Sequence, residues 1–305
     1  MLDHKRFVLL IGSLMLLTNI AISQTYLDTV YYENDTTQIF QIKELSVEKK
    51  EPAGLWLEYF PTGALKISCS RLGETYEGLY QQFYEDGQVH KRFAYKDQKI
   101  EGPYLVYYSD STLKLSANYD TGKVNGDWIS YHPNGQERIK VLYIQGKKHG
   151  PWYMYYQDGR LQTQGVYEHG LKIKAWESYY PGGQLHSKGE YVDNKFAGQW
   201  LVYHENGELK QEGEYIGGRS EGAWNFYHDN GQLAKIGVFS KNRKIGEWKH
   251  YYDNGQLQFV LPFSENGELH GIAKAFDIEG EIIEEIEYKY GEKQLITDQV
   301  NLTKE

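Results

Sequence analysis

The stretch GPWYMYYQDGRLQTQGVYEHGLKI, residues 150–173, contains an aromatic strand, an Asp-Gly turn, a second strand with alternating apolar residues and a polar loop. The chain repeats this unit every 24 residues, and every tryptophan falls at one position of the repeat, which we call the Trp column. The tryptophans are Trp56, Trp128, Trp152, Trp176, Trp200, Trp224 and Trp248, and Tyr80 and Tyr104 fill the two intervening units. Because an internal repeat of this length decides the architecture of a chain, the sequence predicts a repeat protein that acts through a surface.

Two further columns keep the same register. An aromatic residue lies three positions after the Trp column in each unit: Tyr59, Phe83, Tyr107, Tyr131, Tyr155, Tyr179, Tyr203, Tyr227 and Tyr251. A glycine lies seven positions after it in every unit except one, which has Ser111: Gly63, Gly87, Gly135, Gly159, Gly183, Gly207, Gly231 and Gly255. A tenth, degenerate unit follows one inserted residue and contains Gly271, Phe276, Gly280, Ile282 and Tyr288. Repeats therefore cover residues 54–288.

Each unit has two strand-like runs joined by Asn-Gly or Asp-Gly, the strongest short-range signal for a hairpin. We predict two-residue turns there, with positive φ at both central residues, and a longer charged turn between units, as at residues 193–195. A glycine thirteen residues after the Trp column, such as Gly165, leaves room for a neighbouring aromatic ring. Since no stretch has a helical period, the predicted fold is all-β. It is an elongated array of about ten antiparallel hairpins in a twisted single-sheet ribbon, with aromatic ladders on both faces, one of which forms the core.

The two ends of the chain lack the repeat. Residues 1–23 are predicted to be a secretory signal peptide, because a basic start precedes an apolar run, and small residues precede Gln24. An uncleaved membrane anchor is the alternative, although the run is shorter than the roughly 20 residues that a spanning helix needs. Residues 24–53 are predicted to be an N-terminal β cap, which a repeat array needs at its end, and residues 289–305 a polar C-terminal tail. We therefore expect export through the secretory pathway to the periplasm or the extracellular space.

Charge and cysteine content limit the partners. The chain has a formal net charge of −9 and lacks the basic patch of a nucleic-acid binder and the clustered Lys and Arg that bind anionic lipid. Nucleic acid and an anionic membrane are therefore disfavoured as partners. The single cysteine, Cys69, lies in the column that holds Ala117, Gly165 and Gly189. We interpret this column as a slot for small side chains and predict a packed thiol.

The sequence contains no recognisable catalytic or metal-binding motif. His132, His204 and His228 lie four residues after the Trp column, but tyrosines interrupt them, whereas a zinc site needs three or four ligands. The Asp-Gly and Asn-Gly turns have fewer oxygen ligands than a calcium loop requires. There is no Gly-x-Ser-x-Gly motif, Cys–His pair or phosphate-binding loop. We therefore predict that the protein is not an enzyme and has no cofactor and no metal.

The aromatic columns remain as candidates for a ligand-binding surface. Exposed rings stack on sugar faces, and they attract quaternary ammonium groups through cation–π interaction. The candidate ligand-binding residues are Tyr156, Tyr180, His204, His228 and Tyr252. The candidate structural core of the repeats is Trp128, Trp152, Trp176, Trp200, Trp224 and Trp248. Packing within the sheet explains most of these rings equally well.

The pattern Gly-x-Trp-x-x-Tyr-Tyr-x-(Asn/Asp)-Gly-Gln-Leu-x-x-x-Gly-x-Tyr, seen in residues 246–257 and 150–167, resembles the MORN repeat in its bacterial variant form. The resemblance covers residues 54–288, with a spacing that recurs nine times. It implies an open antiparallel sheet, a role in binding or scaffolding, and no catalytic residues. Eukaryotic members of that family are linked to membranes and cytoskeletal assemblies. Some bacterial members are labelled as antitoxins, which implies a protein partner.

These observations favour an exported, non-enzymatic scaffold for protein–protein interaction in the cell envelope. The partner would bind along one face or add a strand to a sheet edge. The alternative is a module that binds glycan or cell wall through the aromatic columns, although choline- and glucan-binding repeats have shorter units. Peripheral membrane association is disfavoured by the acidic charge. Neutralisation of a partner in the manner of an antitoxin fits poorly with a signal peptide.

Overall fold

A computed structural model describes residues 7–9, 25–32, 35–46 and 52–294. These residues form 24 β-strands and no helix. The chain divides into two units, residues 1–150 with 157–159, and residues 151–156 with 160–305. Both units are antiparallel and consist of successive hairpins with a period of 24 residues, which confirms the predicted hairpin repeat.

In the first unit, each strand up to β10 pairs antiparallel with the next strand along the chain. Its strands are β1 (Phe7–Leu9), β2 (Thr25–Tyr32), β3 (Asp35–Ser46), β4 (Pro52–Tyr59), β5 (Leu65–Leu72), β6 (Thr75–Phe83), β7 (Val89–Lys96), β8 (Lys99–Tyr107), β9 (Leu113–Asp120), β10 (Lys123–Tyr131), β11 (Glu137–Ile144) and the first part of β12 (Lys147–Tyr155). β2 and β3 lie in the segment predicted to be a cap. β1 lies within the predicted signal peptide, whose other residues are outside the described part of the chain.

In the second unit, each strand from β13 onward again pairs antiparallel with the next one. Its strands after β12 are β13 (Leu161–Glu168), β14 (Leu171–Tyr179), β15 (Leu185–Val192), β16 (Lys195–Tyr203), β17 (Leu209–Ile216), β18 (Arg219–Tyr227), β19 (Leu233–Ser240), β20 (Arg243–Tyr251), β21 (Leu257–Phe263), β22 (Gly271–Phe276), β23 (Ile282–Lys289) and β24 (Glu292–Lys293). β24 lies in the predicted polar tail, and residues 295–305 of that tail are outside the described part.

The two kinds of turn are the reverse of the predicted ones. At the Asn-Gly positions only the glycine has a positive φ, for example 83° at Gly135, whose N–H donates to the His132 carbonyl at 2.9 Å. This is a type I turn followed by a left-handed glycine, and Pro133 suits its second position. The charged turns between units are the two-residue ones. Asp193 and Asn194 have φ of 51° and 66°, as a type I′ turn requires.

Bulges interrupt the strands at fixed positions of the repeat. One register shift lies between Ser178 and Tyr179, and equivalent shifts occur in the neighbouring units. A second irregularity surrounds the glycine two residues before the Trp column, which has a positive φ, 62° at Gly198. Lys174 takes this position in its own repeat, with φ 59°. Bulges of this kind bend a strand and re-aim the side chains beside them.

The core lies on the face of the Trp column, which answers the question that the sequence left open. Trp176, Trp224 and Trp248 are only 4%, 3% and 1% exposed. Each ring lies directly over a glycine of the preceding strand, because a Cβ added to Gly165 or Gly213 would be 2.1 Å from the ring of Trp176 or Trp224. The predicted role of this glycine, to make room for a ring, is therefore confirmed. We call this side of each sheet the Trp face and the other side the opposite face.

Candidate interaction surface

The five candidate ligand-binding side chains are half-buried, and each makes a hydrogen bond to the backbone of the following repeat. The hydroxyl donors and their carbonyl acceptors are Tyr156 to Tyr179 at 2.7 Å, Tyr180 to Tyr203 at 2.9 Å and Tyr252 to Phe276 at 2.9 Å. The Nε2 atoms of His204 and His228 lie 3.0 Å from the carbonyl oxygens of Tyr227 and Tyr251. Since a carbonyl only accepts, each Nε2 carries the hydrogen. The polar atoms of these rings therefore link neighbouring repeats by hydrogen bonds, and ligand binding by these residues stays a prediction.

Lysines of the chain itself lie against the rings of the Trp face. Lys172 Nζ is 4.2 Å from the Trp176 ring centroid and 4.9 Å from that of Tyr191. Lys244 Nζ is 4.6 Å from the Trp248 ring centroid, and burial lowers the pKa of this lysine. A cationic ligand would have to displace these ammonium groups to use the same ring faces.

Hydrogen-bonded carboxylates lie on the opposite face of the second unit. Glu212 Oε1 accepts hydrogen bonds from Asn225 Nδ2 at 3.0 Å and from the Tyr227 hydroxyl at 2.7 Å. These donors, Asn225 first, hold the pKa of Glu212 below its ordinary value of 4.5. A second cluster of this kind contains Glu177, with the Tyr179 hydroxyl at 2.6 Å and Gln164 Nε2 at 2.7 Å.

An exposed row crosses the strands on this opposite face, and we call it the outer row. It consists of residues one position before the Trp column and residues at the paired position of the next strand, since paired residues share a face of the sheet. Its exposed members include Ala175, Glu190, Gln199, Glu214, Ala223, Val238 and Glu247. Val192 and Ile216 lie on the same face, beside the row, and are 57% and 60% exposed.

The carboxylates of the outer row are not neutralised within the sheet. Glu190, Glu214 and Glu247 form no ion pair with any residue that the structure describes. Glu214 also lies directly opposite Glu221 on the next strand, and like charges at opposed positions destabilise a sheet. A shallow depression of about 340 Å³ opens in the row and is lined by Gln199, Glu212, Gly213, Glu214, Ala223 and Asn225. The outer row thus combines exposed aliphatic groups with unpaired negative charge.

Cys69 is 2% exposed, and burial raises the pKa of its thiol to about 11. This environment is that of a packed side chain. This position of the repeat holds larger side chains than predicted, however, because Phe93 and Val141 occupy it in the first unit and are also buried. Among the described residues, no group of three or more His, Cys, Asp or Glu side chains is arranged to hold a metal ion. Within residues 52–294 and the shorter described segments, the structure contains no helix with the length and hydropathy that a membrane-spanning helix requires.

Seven segments of the chain match the family described as the MORN repeat variant. The matched residues are 76–97, 124–145, 148–169, 174–193, 197–216, 220–241 and 244–267. The chain is a MORN-variant repeat protein. Repeat proteins of this family are generally non-enzymatic, and proteins of this kind commonly bind other proteins.

No curated protein matches this MORN-variant chain. Among solved structures it is similar to TcdB2-TccC3, with 11% identity, coverage of 88% of this chain and 15% of that chain, and a TM-score of 0.17. It is also similar to TcdB2-TccC3 without the hypervariable C-terminal region, with 14% identity, 88% and 18% coverage, and a TM-score of 0.20. The chain therefore spans less than a fifth of the length of these proteins, and at such scores the likeness carries no information on function.

The outer row lies within four consecutive MORN-variant matches, residues 174–193 to 244–267. The repeat pattern did not predict this row, because its residues vary from one repeat to the next whereas the aromatic columns recur. The signal was present in the strand alternation, since Glu190 and Val192 alternate with Gly189 and Tyr191, which belong to the Trp face. Val192 and Ile216 lie sixteen residues after the Trp column, and Leu72 and Ile144 occupy the same position in the first unit, where they are 66% and 48% exposed.

Proposed function

We propose that this MORN-variant chain is an exported, non-enzymatic scaffold whose outer row binds a basic amphipathic helix of another protein. The observation that carries the proposal is the exposed, unpaired carboxylates Glu190, Glu214 and Glu247 beside the aliphatic side chains of Val192 and Ile216. Burial of the aliphatic groups supplies free energy of association. Opposite charge on the partner selects it and steers its approach.

The spacing of the row suggests the geometry of the partner. Equivalent residues of successive repeats are two strands apart, roughly 10 Å. Seven residues of an α-helix also rise by roughly 10 Å. A helix laid across the strands with Lys or Arg at every seventh residue thus matches Glu190 and Glu214. Basic residues flank the row on both sides, with Lys188 on one side and Lys195 and Arg219 on the other, so a narrow basic stripe fits better than a broadly basic surface.

Synthetic helices test this match. One peptide carries Lys at every seventh position with leucines beside it, and the comparison peptide has the same composition with Lys at every fifth position. We expect the first to bind more tightly and its binding to weaken as salt is added. The double variant Glu190→Lys with Glu214→Lys should bind it roughly five- to tenfold more weakly. The control is Glu205→Lys, in an exposed turn outside the row. Equal binding of the two peptides, or equal loss in the control, contradicts the proposal.

Export is supported by the N-terminal sequence, in which His4, Lys5 and Arg6 precede a long apolar run and small residues end at Ser23. We propose that cleavage releases a chain beginning at Gln24. N-terminal sequencing of the protein recovered from the periplasm or the medium of a producing cell tests this. Recovery of the chain in the cytosol with Met1 in place would overturn the proposal without affecting the outer row.

A further inference from the structure

Two neighbouring repeats contain the identical pentapeptide Asp-Asn-Gly-Gln-Leu, at residues 229–233 and 253–257. The two turns share most of their contacts. In both, the glycine N–H donates to the carbonyl three residues earlier at 3.0 Å. In both, the asparagine Oδ1 accepts the backbone N–H two residues later, at 2.9 Å for Asn230 and 3.0 Å for Asn254. Their local chemistry is therefore matched.

The turns differ in one contact. Asn230 Nδ2 donates to the Asp253 carbonyl of the next turn at 2.7 Å, whereas Asn254 Nδ2 donates to no atom of the described residues. The other Asn-Gly turns at this position of the repeat resemble the first case, since Asn134 and Asn206 donate to the carbonyls of Gln157 and Asp229, both at 2.6 Å. Within the described part of the chain, Asn254 is thus the one asparagine of its column that lacks this bond.

The reason lies in the degenerate repeat that follows Asn254. One residue is inserted before this repeat, and its first strand, β22, pairs with β21 through only two residue pairs, Phe259 with Ala275 and Val260 with Lys274. The hydroxyl of Tyr252 still reaches the Phe276 carbonyl at 2.9 Å. The asparagine contact two residues later is lost, so the side chain of Asn254 is held at one end only.

We propose that Asn254 is a site of spontaneous deamidation in the folded protein. The backbone nitrogen of Gly255 gives up its proton to solvent and attacks Asn254 Cγ. The new N–Cγ bond forms as the Cγ–Nδ2 bond breaks, and ammonia leaves with a proton from water. Water then opens the resulting succinimide ring to aspartate or isoaspartate, so that one water is consumed and one ammonia is released. Glycine at the following position favours the attack because it has no side chain to hinder it.

The missing contact sets the relative rate. Attack requires the asparagine side chain to leave its hydrogen-bonded position, and Asn230 must break one bond more than Asn254 does. One such bond slows the step by roughly two- to tenfold. Because the flanking residues are identical, intrinsic effects of sequence cancel in this comparison.

The two products differ in how they fit. Asp86 occupies the same turn position in another repeat and accepts the Gln88 N–H at 3.0 Å, so aspartate at position 254 keeps the turn. Isoaspartate adds a backbone atom to the turn between β20 and β21 and disturbs the register of that hairpin. Either product adds one negative charge beside Asp253.

The test is to incubate the intact protein in mildly alkaline buffer made with heavy-oxygen water and to digest it with trypsin at intervals. Residues 220–235 and 250–274 lie on separate tryptic peptides. The second peptide also contains Asn266 before Gly267, so fragment-ion spectra are used to assign the heavy oxygen to Asn254 or to Asn266. We expect Asn254 to incorporate heavy oxygen two- to tenfold faster than Asn230. In denaturant the two rates should become equal.

Equal rates in the folded protein, or faster reaction at Asn230, overturn the proposal. A rate difference that persists in denaturant also overturns it, because the fold would then not be the cause. Asn254→Asp provides the product standard for the second peptide. The outcome does not depend on whether the outer row binds a partner.

Discussion

Lys174 occupies a backbone position that the other repeats fill with glycine. Its φ of 59° resembles the 62° of Gly198 and the 76° of Gly150. A Cβ added to Gly198 or Gly150 would meet nothing within 4 Å, so space does not explain the preference. The left-handed conformation itself does, since it costs a side-chain-bearing residue about 1–2 kcal/mol.

Replacing this lysine should therefore stabilise the protein. We expect Lys174→Gly to raise the free energy of unfolding by about 0.5–1 kcal/mol, because the relief of backbone strain exceeds the added entropy of the unfolded glycine. Urea denaturation followed by tryptophan fluorescence measures the change. Lys174→Ala keeps the Cβ and serves as the control. An equal gain in the alanine variant would mean that the lysine side chain, not the backbone, is responsible.

The position four residues after the Trp column holds tyrosine in some repeats and histidine in others, and both side chains make the same kind of contact. Tyr180 OH and His204 Nε2 both reach a backbone carbonyl of the next repeat, at 2.9 Å and 3.0 Å. Phe60 fills the same column in the first repeat without a polar end. The sequence revealed the column but not this contact, because the acceptor is a backbone carbonyl 23 residues further along the chain.

Substitution at Tyr180 separates the hydrogen bond from the ring. Tyr180→Phe should lower the free energy of unfolding by about 1 kcal/mol, since it leaves the Tyr203 carbonyl without this donor. Tyr180→His, which restores a donor in the manner of His204, should cost less. Thermal and urea denaturation of both variants provide the comparison. If histidine and phenylalanine cost the same, the column is a packing column and its hydrogen bonds contribute little.

At the scale of the elements, the sequence correctly predicted where the strands and turns lie. The predicted turn types were wrong, because the two-residue turn and the longer turn occupy each other's predicted positions. Asn-Gly is a strong signal for a two-residue hairpin turn, yet Asn134 avoids positive φ and only Gly135 adopts it. Pro133 was the available indication, because proline favours the second position of a type I turn. The bulges between the Trp column and the next aromatic had no comparable signal, since they arise from the pairing of two strands.

The carboxylate clusters make a strand pair sensitive to acid. The hydrogen bonds from Asn225 and Tyr227 hold the pKa of Glu212 below its ordinary value of 4.5. They therefore stabilise the folded protein fully above pH 4.5, and this stabilisation is lost as the pH falls through the lower pKa that Glu212 has in the folded state. Tyr227→Phe should thus cost about 1 kcal/mol at neutral pH, and the difference from the parent protein should shrink in acid. Urea denaturation at neutral and acid pH measures it. Tyr203→Phe is the control, because that hydroxyl has no carboxylate partner among the described residues.

At the scale of the whole molecule, the period of 24 residues was sufficient to predict an all-β hairpin array. It also predicted the contact of ring and glycine seen at Trp224 and Gly213. The candidate surface was less predictable. Periodicity shows which residues recur, whereas the outer row consists of residues that vary between repeats, such as Gln199, Ala223 and Glu247. Their importance depends on exposure, which strand pairing determines.

The array should tolerate changes in length only in whole repeats. Deleting residues 195–218 joins Asn194 to Arg219 and recreates a two-residue turn of the same kind, so we expect a folded β protein of lower stability. Deleting residues 195–206 instead joins two strands that run in the same direction, β15 and β17, and removes Trp200. Circular dichroism and denaturation distinguish the outcomes. Failure of the first variant to fold, or success of the second, contradicts this description of the repeat.

In each unit the strands that pair with each other are neighbours along the chain, as β16 pairs with β17 and β17 pairs with β18. Closing such hairpins requires only short loops, whereas most all-β folds need distant segments to meet before they gain stability. A chain of this kind has a low contact order for a sheet protein. Folding can start at any hairpin with formed neighbours and spread in sequence order, so early repeats acquire structure while later ones are still being synthesised.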